Sequence, residues 1–271
     1  MMISQDDSQN SLSSKVTRRQ FVQVAAVVGV GLTFADQASR TAVTSGPRPS
    51  SACDEHAQGI LNLAYTIERA ATTFYYTGLT SHAVLRSPQL AGVAGNPNAV
   101  SRNGNRENVA NLQAALDQEQ KHAQILANVG AVSQSAHFYF PVSAFHSVGY
   151  TSHVGSFLWA LDHLETACIA IYLAAVRRFS ELGYADLALL SVRNLAVECE
   201  HRALYRVIAG DDPANNITAP VLDFNCVGDA LPFFAPYLTG RGFPKGAEIS
   251  RPIPLPIRAQ TARVVGQYVS A

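Results

Sequence analysis

Charge of one sign is the first thing this sequence lacks. Lys and Arg number 20 and Asp and Glu 20, so the 271-residue chain has no formal net charge at neutral pH. With no polybasic block in its body, it has no footprint for phosphate backbones, and no nucleic-acid partner is expected. Charge of either sign is scarce, at 15% against roughly 25% for an average soluble domain. Cysteine is scarce too. Cys53, Cys168, Cys199 and Cys226 include no C-x-x-C pair, which argues against zinc ribbons, rubredoxin-type iron sites and thioredoxin motifs. The most apolar stretch of the body, residues 157–176, is interrupted by Asp162, His163 and Glu165. A central Asp costs roughly 2.5–3.5 kcal/mol on insertion scales, so this segment reads as a buried bundle helix. The processed chain is therefore not expected to be an integral membrane protein. What is plentiful is apolar content, 48%, ample for the core of one or two domains.

The N-terminus carries an address. After a polar start, Lys15-Val16-Thr17-Arg18-Arg19-Gln20-Phe21 runs into an Ala-, Val- and Gly-rich stretch from Val24 to Ala35. That arrangement resembles a twin-arginine export signal. The apolar stretch is too short to cross a bilayer core of roughly 30 Å as a helix. Small residues around Ala35 and Ala38 offer cleavage points. The resemblance implies that residues 1–38 are removed and that the protein acts in the periplasm or outside the cell. This route is known for carrying proteins already folded around a cofactor. Residues 39–53 read as a polar Pro/Gly/Ser linker.

Four long helices follow. Over 54–78, Ile60, Leu63, Ala64, Ile67, Ala71, Phe74 and Tyr75 recur at spacings of three and four, the stripe of an amphipathic helix. A loop with Pro88 and Pro97 covers about 80–104. The second helix is expected at about 106–129, closed by Gly130. After a crossover with Pro141, a third is expected at 152–182 and a fourth at 184–209, each followed by glycine. The short connection between the last two predicts an antiparallel hairpin. Most of the thirteen prolines lie in 211–271, including Pro252, Pro254 and Pro256. That predicts an extended segment wrapping a surface. The fold class is all-α: a four-helix bundle over 54–210 with a long crossover and a Pro-rich C-terminal extension.

The chemistry sits on these helices. Glu119-Gln120-Lys121-His122 and Glu198-Cys199-Glu200-His201 are two Glu-x-x-His pairs, on the second and fourth helices. A separation of three puts both side chains on one helix face, where they can share a metal. Nine glutamates and eight histidines in this length give about 0.3 such pairs by chance. The first and third helices each add one Glu within an apolar stretch, Glu68 and Glu165.

This order of single Glu, pair, single Glu, pair resembles the ferritin-like di-metal carboxylate bundles. In position it is most similar to the exported ferritin-like domain family that includes desiccation-associated proteins. The resemblance covers about residues 54–210. It implies two iron or two manganese ions, with Glu68 and Glu165 as terminal ligands, Glu119 and Glu198 bridging, and His122 and His201 each capping one metal. Four carboxylates balance two divalent cations. Without them, four acids in an apolar bundle would repel, and some would stay protonated. Oxygen and imidazole donors suit iron or manganese, and the ligand set does not choose between them.

The implied chemistry is reaction with O2, peroxide or ferrous iron, in iron oxidation or in protection against oxidative or desiccation stress. Ferroxidase, peroxidase and catalase-like activities all stay open. The missing cysteine pairs argue against a rubrerythrin-like peroxidase, and the long first loop and tail against a storage cage. The alternative is a non-catalytic stress or surface scaffold whose metal site is structural or vestigial. A homodimer is compatible with the apolar helix faces.

Other residues leave alternatives open. Tyr75 and Tyr172, seven after Glu68 and Glu165, either fill core or reach the site. Asp162 either accepts from a ligating imidazole or sits in solvent. His137, His146 and His153 read as surface. Cys53 and Cys226 flank the bundle, and an oxidising compartment would let them pair. Cys168 and Cys199 read as buried small apolar residues.

Overall fold

Apolar side chains every three or four residues wind Ala57–Thr80 into helix α1, with Ile60, Leu63, Ile67, Ala71 and Phe74 buried on one side. This computed structural model describes residues 53, 55–91, 104–150, 154–211, 214–215 and 224–269. The export signal, most of the linker, residues 92–103, His153 and residues 216–223 of the tail lie outside the described residues. The first loop opens with two single-turn helices, α2 (His82–Leu85) and α3 (Pro88–Ala91). The other long helices are α4 (Gly104–Asn128), α5 (Phe157–Glu181) and α6 (Ala185–Ala209). All four fall within a few residues of the sequence expectation.

Local chemistry fixes the helix ends. The Ser156 hydroxyl accepts from the Trp159 N–H and caps α5. The turn into α6 passes through Gly183 at φ +82°, and α6 stops at Gly210, also at φ +82°. A side chain there would be strained, so both helices end on glycine. α1 packs on α4 and α5 on α6, while contacts of α1 with α5 and of α4 with α6 close the bundle. Phe74 stacks on Phe157 with ring centroids 5.1 Å apart. Gly78 lies directly against the same Phe157 ring, where no Cβ would fit. By length and composition α5 is apolar enough to cross a membrane, but it is mostly buried among the other helices.

The crossover between α4 and α5 holds a two-residue strand, β1 (His137–Phe138), and a 3-10 turn at Val142–Phe145. The tail returns to it. Strand β2 (Ile253–Pro254) runs antiparallel to β1, pairing His137 with Pro254 and Phe138 with Ile253. The tail is extended only in part. Pro254 lies in strand β2, with Pro252 and Pro256 in irregular backbone on either side, but Leu231–Thr239 forms a helix, α7, and Arg258–Val269 another, α8. Pro232 enters α7 in its first turn, where its missing N–H has no helical partner to lose. Pro236 lies inside the same short helix. α8 then packs on α4 and α1.

Cys53 and Cys226 form a disulfide with Cα atoms 5.6 Å apart, tying the start of the bundle to the tail. Glu55 reinforces this tie by accepting from the backbone N–H groups of Val227 and Gly228. Arg178 donates to the Cys53 carbonyl at 2.8 Å.

Candidate metal centre

The bundle brings all six sequence-predicted residues to one place. Glu68 comes from α1, Glu119 and His122 from α4, Glu165 from α5, and Glu198 and His201 from α6. Each carboxylate is at most 1% exposed, and the imidazoles 6% and 2%. The atoms able to hold a metal fall into two overlapping groups, each within 4.8 Å: Glu68, Glu119, His122 and Glu198, and Glu119, Glu165, Glu198 and His201. Glu119 and Glu198 belong to both. The three-residue spacing within each pair places its Glu and His one turn apart on the inner helix face.

Both imidazoles turn Nδ1 inward. His122 Nδ1 is 2.9 Å from Glu198 Oε1 and 3.5 Å from Glu68 Oε2. His201 Nδ1 is 2.9 Å from Glu119 Oε1, 3.4 Å from Glu198 Oε2 and 3.7 Å from Glu165 Oε1. These atoms are close without the alignment of hydrogen bonds. Glu68 Oε2, both oxygens of Glu119 and Glu198, Glu165 Oε2 and the two Nδ1 atoms are buried without a hydrogen-bond partner among the described residues. A buried polar atom left so costs roughly 1–3 kcal/mol, more when charged. Eight of them converging on one point suit cations that would satisfy them together, and this oxygen and imidazole set fits iron or manganese.

The metal-free electrostatics are strained accordingly. Burial raises the Glu119 carboxyl well above its usual range, and the Glu198 and Glu68 carboxylates add to it. Burial raises Glu165 likewise, with Glu119 and Glu198 contributing. For Glu198 burial is overcome by His122 and His201, which hold it well below the usual carboxylate range. Burial works against a His122 cation, yet Glu68 and Glu198 push it up to about 11. His201 is raised in the same way, burial opposing and Glu198 and Glu165 prevailing.

A polar layer surrounds the six. Tyr75 donates to Glu165 Oε1 at 2.6 Å. Tyr172 donates to Glu68 Oε1 and accepts from Asn194 at 2.9 Å. Both tyrosines therefore reach the site, each holding the single glutamate of the other's helix. Asp162 does not touch an imidazole. Its Oδ1 lies 3.9 Å from Arg202 Nε and 3.8 Å from Arg206 Nη1, cations one and two turns along α6. The acceptor for His201 is Gln118, whose Oε1 is 2.8 Å from Nε2. Sequence reasoning missed Gln118 and Asn194, because amides in a helix carry no pattern to single them out. His137 and His146 are exposed. Cys168 is buried as expected, but Cys199 is exposed.

A family model described as a ferritin-like domain matches residues 56–211. No curated protein and no solved structure matches the chain.

Proposed function

The chain belongs to the ferritin-like domain family, and from that premise we propose an exported di-metal carboxylate protein, loaded with two iron or two manganese ions, that reacts with O2 or peroxide. The observation that carries the reading is the pair of overlapping four-residue groups sharing Glu119 and Glu198. Glu119 and Glu198 would bridge, Glu68 and Glu165 would each serve one ion, and His122 and His201 would cap them. When bound, such a pair would supply two electrons to a small oxidant.

The chain's own residues do the rest. Tyr75 and Tyr172 fix the orientation of Glu165 and Glu68 through one carboxylate oxygen each. Gln118 orients the His201 ring by holding Nε2, which leaves Nδ1 facing inward. Near-complete burial of the six side chains excludes bulk water. Export is supported by the Arg18-Arg19 signal and by the Cys53–Cys226 disulfide, which persists in oxidising compartments. Stress protection or iron oxidation would then take place outside the cytoplasm.

Metal analysis of protein recovered from its native location, beside Glu119→Ala, tests this. About two iron or manganese per chain, absent in the variant, is the expected result. Peroxide and ferrous-oxidation assays on the loaded protein follow. Metal without turnover would replace this reading with a scaffold. No stoichiometric metal in either protein would end it.

A further inference from the structure

A second site lies outside the six-residue cluster. A cavity of about 450 Å³ opens along the seam of α1 and α4, covered by Leu255, Pro256 and α8. None of the six cluster residues lines it. The volume falls within the roughly 300–1,000 Å³ usual for small-molecule sites. Its cover comes from the tail, beyond the stretch matched by the family model.

Three features of the wall point to a ligand. Thr72 lines the cavity, is only 4% exposed, and its buried hydroxyl has no hydrogen-bond partner among the described residues. The other threonines of α1, Thr66, Thr73, Thr77 and Thr80, all donate to the carbonyl four residues back. Thr72 forgoes that bond. Arg69 also lines the cavity, with its guanidinium 5.4 Å from the Tyr65 ring centre and its buried Nε unpartnered. Finally, the charge of the wall is unbalanced. Lys121 is neutralised by Asp117, whereas Arg69 and Arg258 form no ion pair among the described residues. Leu255, Pro256 and Val265 add apolar wall from the same tail segment that carries Arg258.

We propose that this seam cavity binds a small organic carboxylate, its charged end held by Arg69, Arg258 and the Thr72 hydroxyl and its apolar body against Tyr65 and the Leu255–Val265 side. Guanidinium groups recognise a carboxylate with paired donors, and a buried hydroxyl supplies a third. An apolar side would be wasted on inorganic phosphate. The inference does not depend on the metal reading, since the two sites share no residue.

The test uses fluorine NMR on the mature chain, metal-loaded and metal-free, with 4-fluorobenzoate as probe. Neutral 4-fluorobenzyl alcohol and inorganic phosphate serve as comparisons. The carboxylate should bind both forms, and the alcohol at least tenfold more weakly. Arg69→Gln and Arg258→Gln should each weaken binding about tenfold. Thr72→Val should weaken it several-fold while leaving the melting temperature of the free protein unchanged or higher, because it removes an unsatisfied buried hydroxyl. Equal binding of the alcohol would overturn the proposal. So would binding of phosphate alone, or no fluorobenzoate binding up to about 10 mM. A fall in melting temperature for Thr72→Val would show the hydroxyl to be structural and overturn its role. None of these outcomes bears on metal content, so the two proposals fail separately.

Discussion

Tyr75 on α1 donates its hydroxyl to Glu165 on α5 at 2.6 Å, and the return bond runs from Tyr172 on α5 to Glu68 on α1. The crossed pair ties two helices together through the residues that most need fixing. Tyr75→Phe leaves Glu165 Oε1 buried without a donor and should cost about 1–3 kcal/mol in urea unfolding of the metal-free protein. Tyr172→Phe should cost more, because Asn194 loses its acceptor as well. Equal unfolding of both variants and the parent would show that these bonds contribute nothing.

Stability should respond to pH in opposite directions with and without metal. His122 and His201 are raised in the fold, so their contribution is complete below about pH 6.5 and is lost as pH climbs through their folded values. Glu119 and Glu165 are also raised, so the native state keeps protons that the unfolded chain sheds above about pH 4.3. Both effects weaken the metal-free fold as pH rises. Glu198 is lowered, and its contribution is lost only on the acid side. Thermal melts of metal-free protein should therefore fall from pH 5 to pH 8. Loaded protein should melt higher over the same range, because metal binding requires the ligands to give up their protons.

Gln118→Leu removes the acceptor that orients His201 while leaving all six converging residues in the sequence. Competition with a chelator should show metal affinity lowered about 10–100-fold, with the helical content unchanged. Unaltered affinity would mean that packing alone holds the ring.

Peptide mapping without reduction should recover Cys53 linked to Cys226. Cys199 should alkylate in the native protein, and Cys168 only after denaturation. Cys53→Ser with Cys226→Ser should lower stability by about 2–5 kcal/mol.

Gly78→Ala should destabilise by about 1–3 kcal/mol in the same unfolding assay, since the new methyl meets the Phe157 ring. Phe157→Leu in the same chain should recover part of the loss if the clash is the cause.

Much of this was legible in the sequence, for a physical reason. A helix that buries one face repeats its apolar residues every three or four positions, so the four long helices are visible from that period alone. Charged residues inside such stripes stand out because burial is costly, which marks Glu68 and Glu165, while the three-residue Glu-to-His spacing marks Glu119 with His122 and Glu198 with His201. Partners fixed only by tertiary packing were not legible. Gln118 and Asn194 look like any other amide, and Asp162 faces Arg202 and Arg206 because of where α5 crosses α6. Helix α7 was hidden by its own Pro232 and Pro236, and α8 by the run Pro252, Pro254 and Pro256 just before it. A proline in the first turn, as at Pro232, starts a helix as readily as it prevents one.

The disulfide has a kinetic side. Residues 68 to 201, which contain every member of the buried cluster, lie wholly between Cys53 and Cys226, partners 173 positions apart. An oxidised chain that unfolds therefore becomes a ring, and the six side chains remain confined to a smaller volume than on an open strand. Their encounters stay more frequent, and the entropy of bringing distant segments together is partly spent in advance. Renaturation from urea should accordingly be faster for oxidised than for reduced protein, so that an excursion to the unfolded state is brief once the bond has closed.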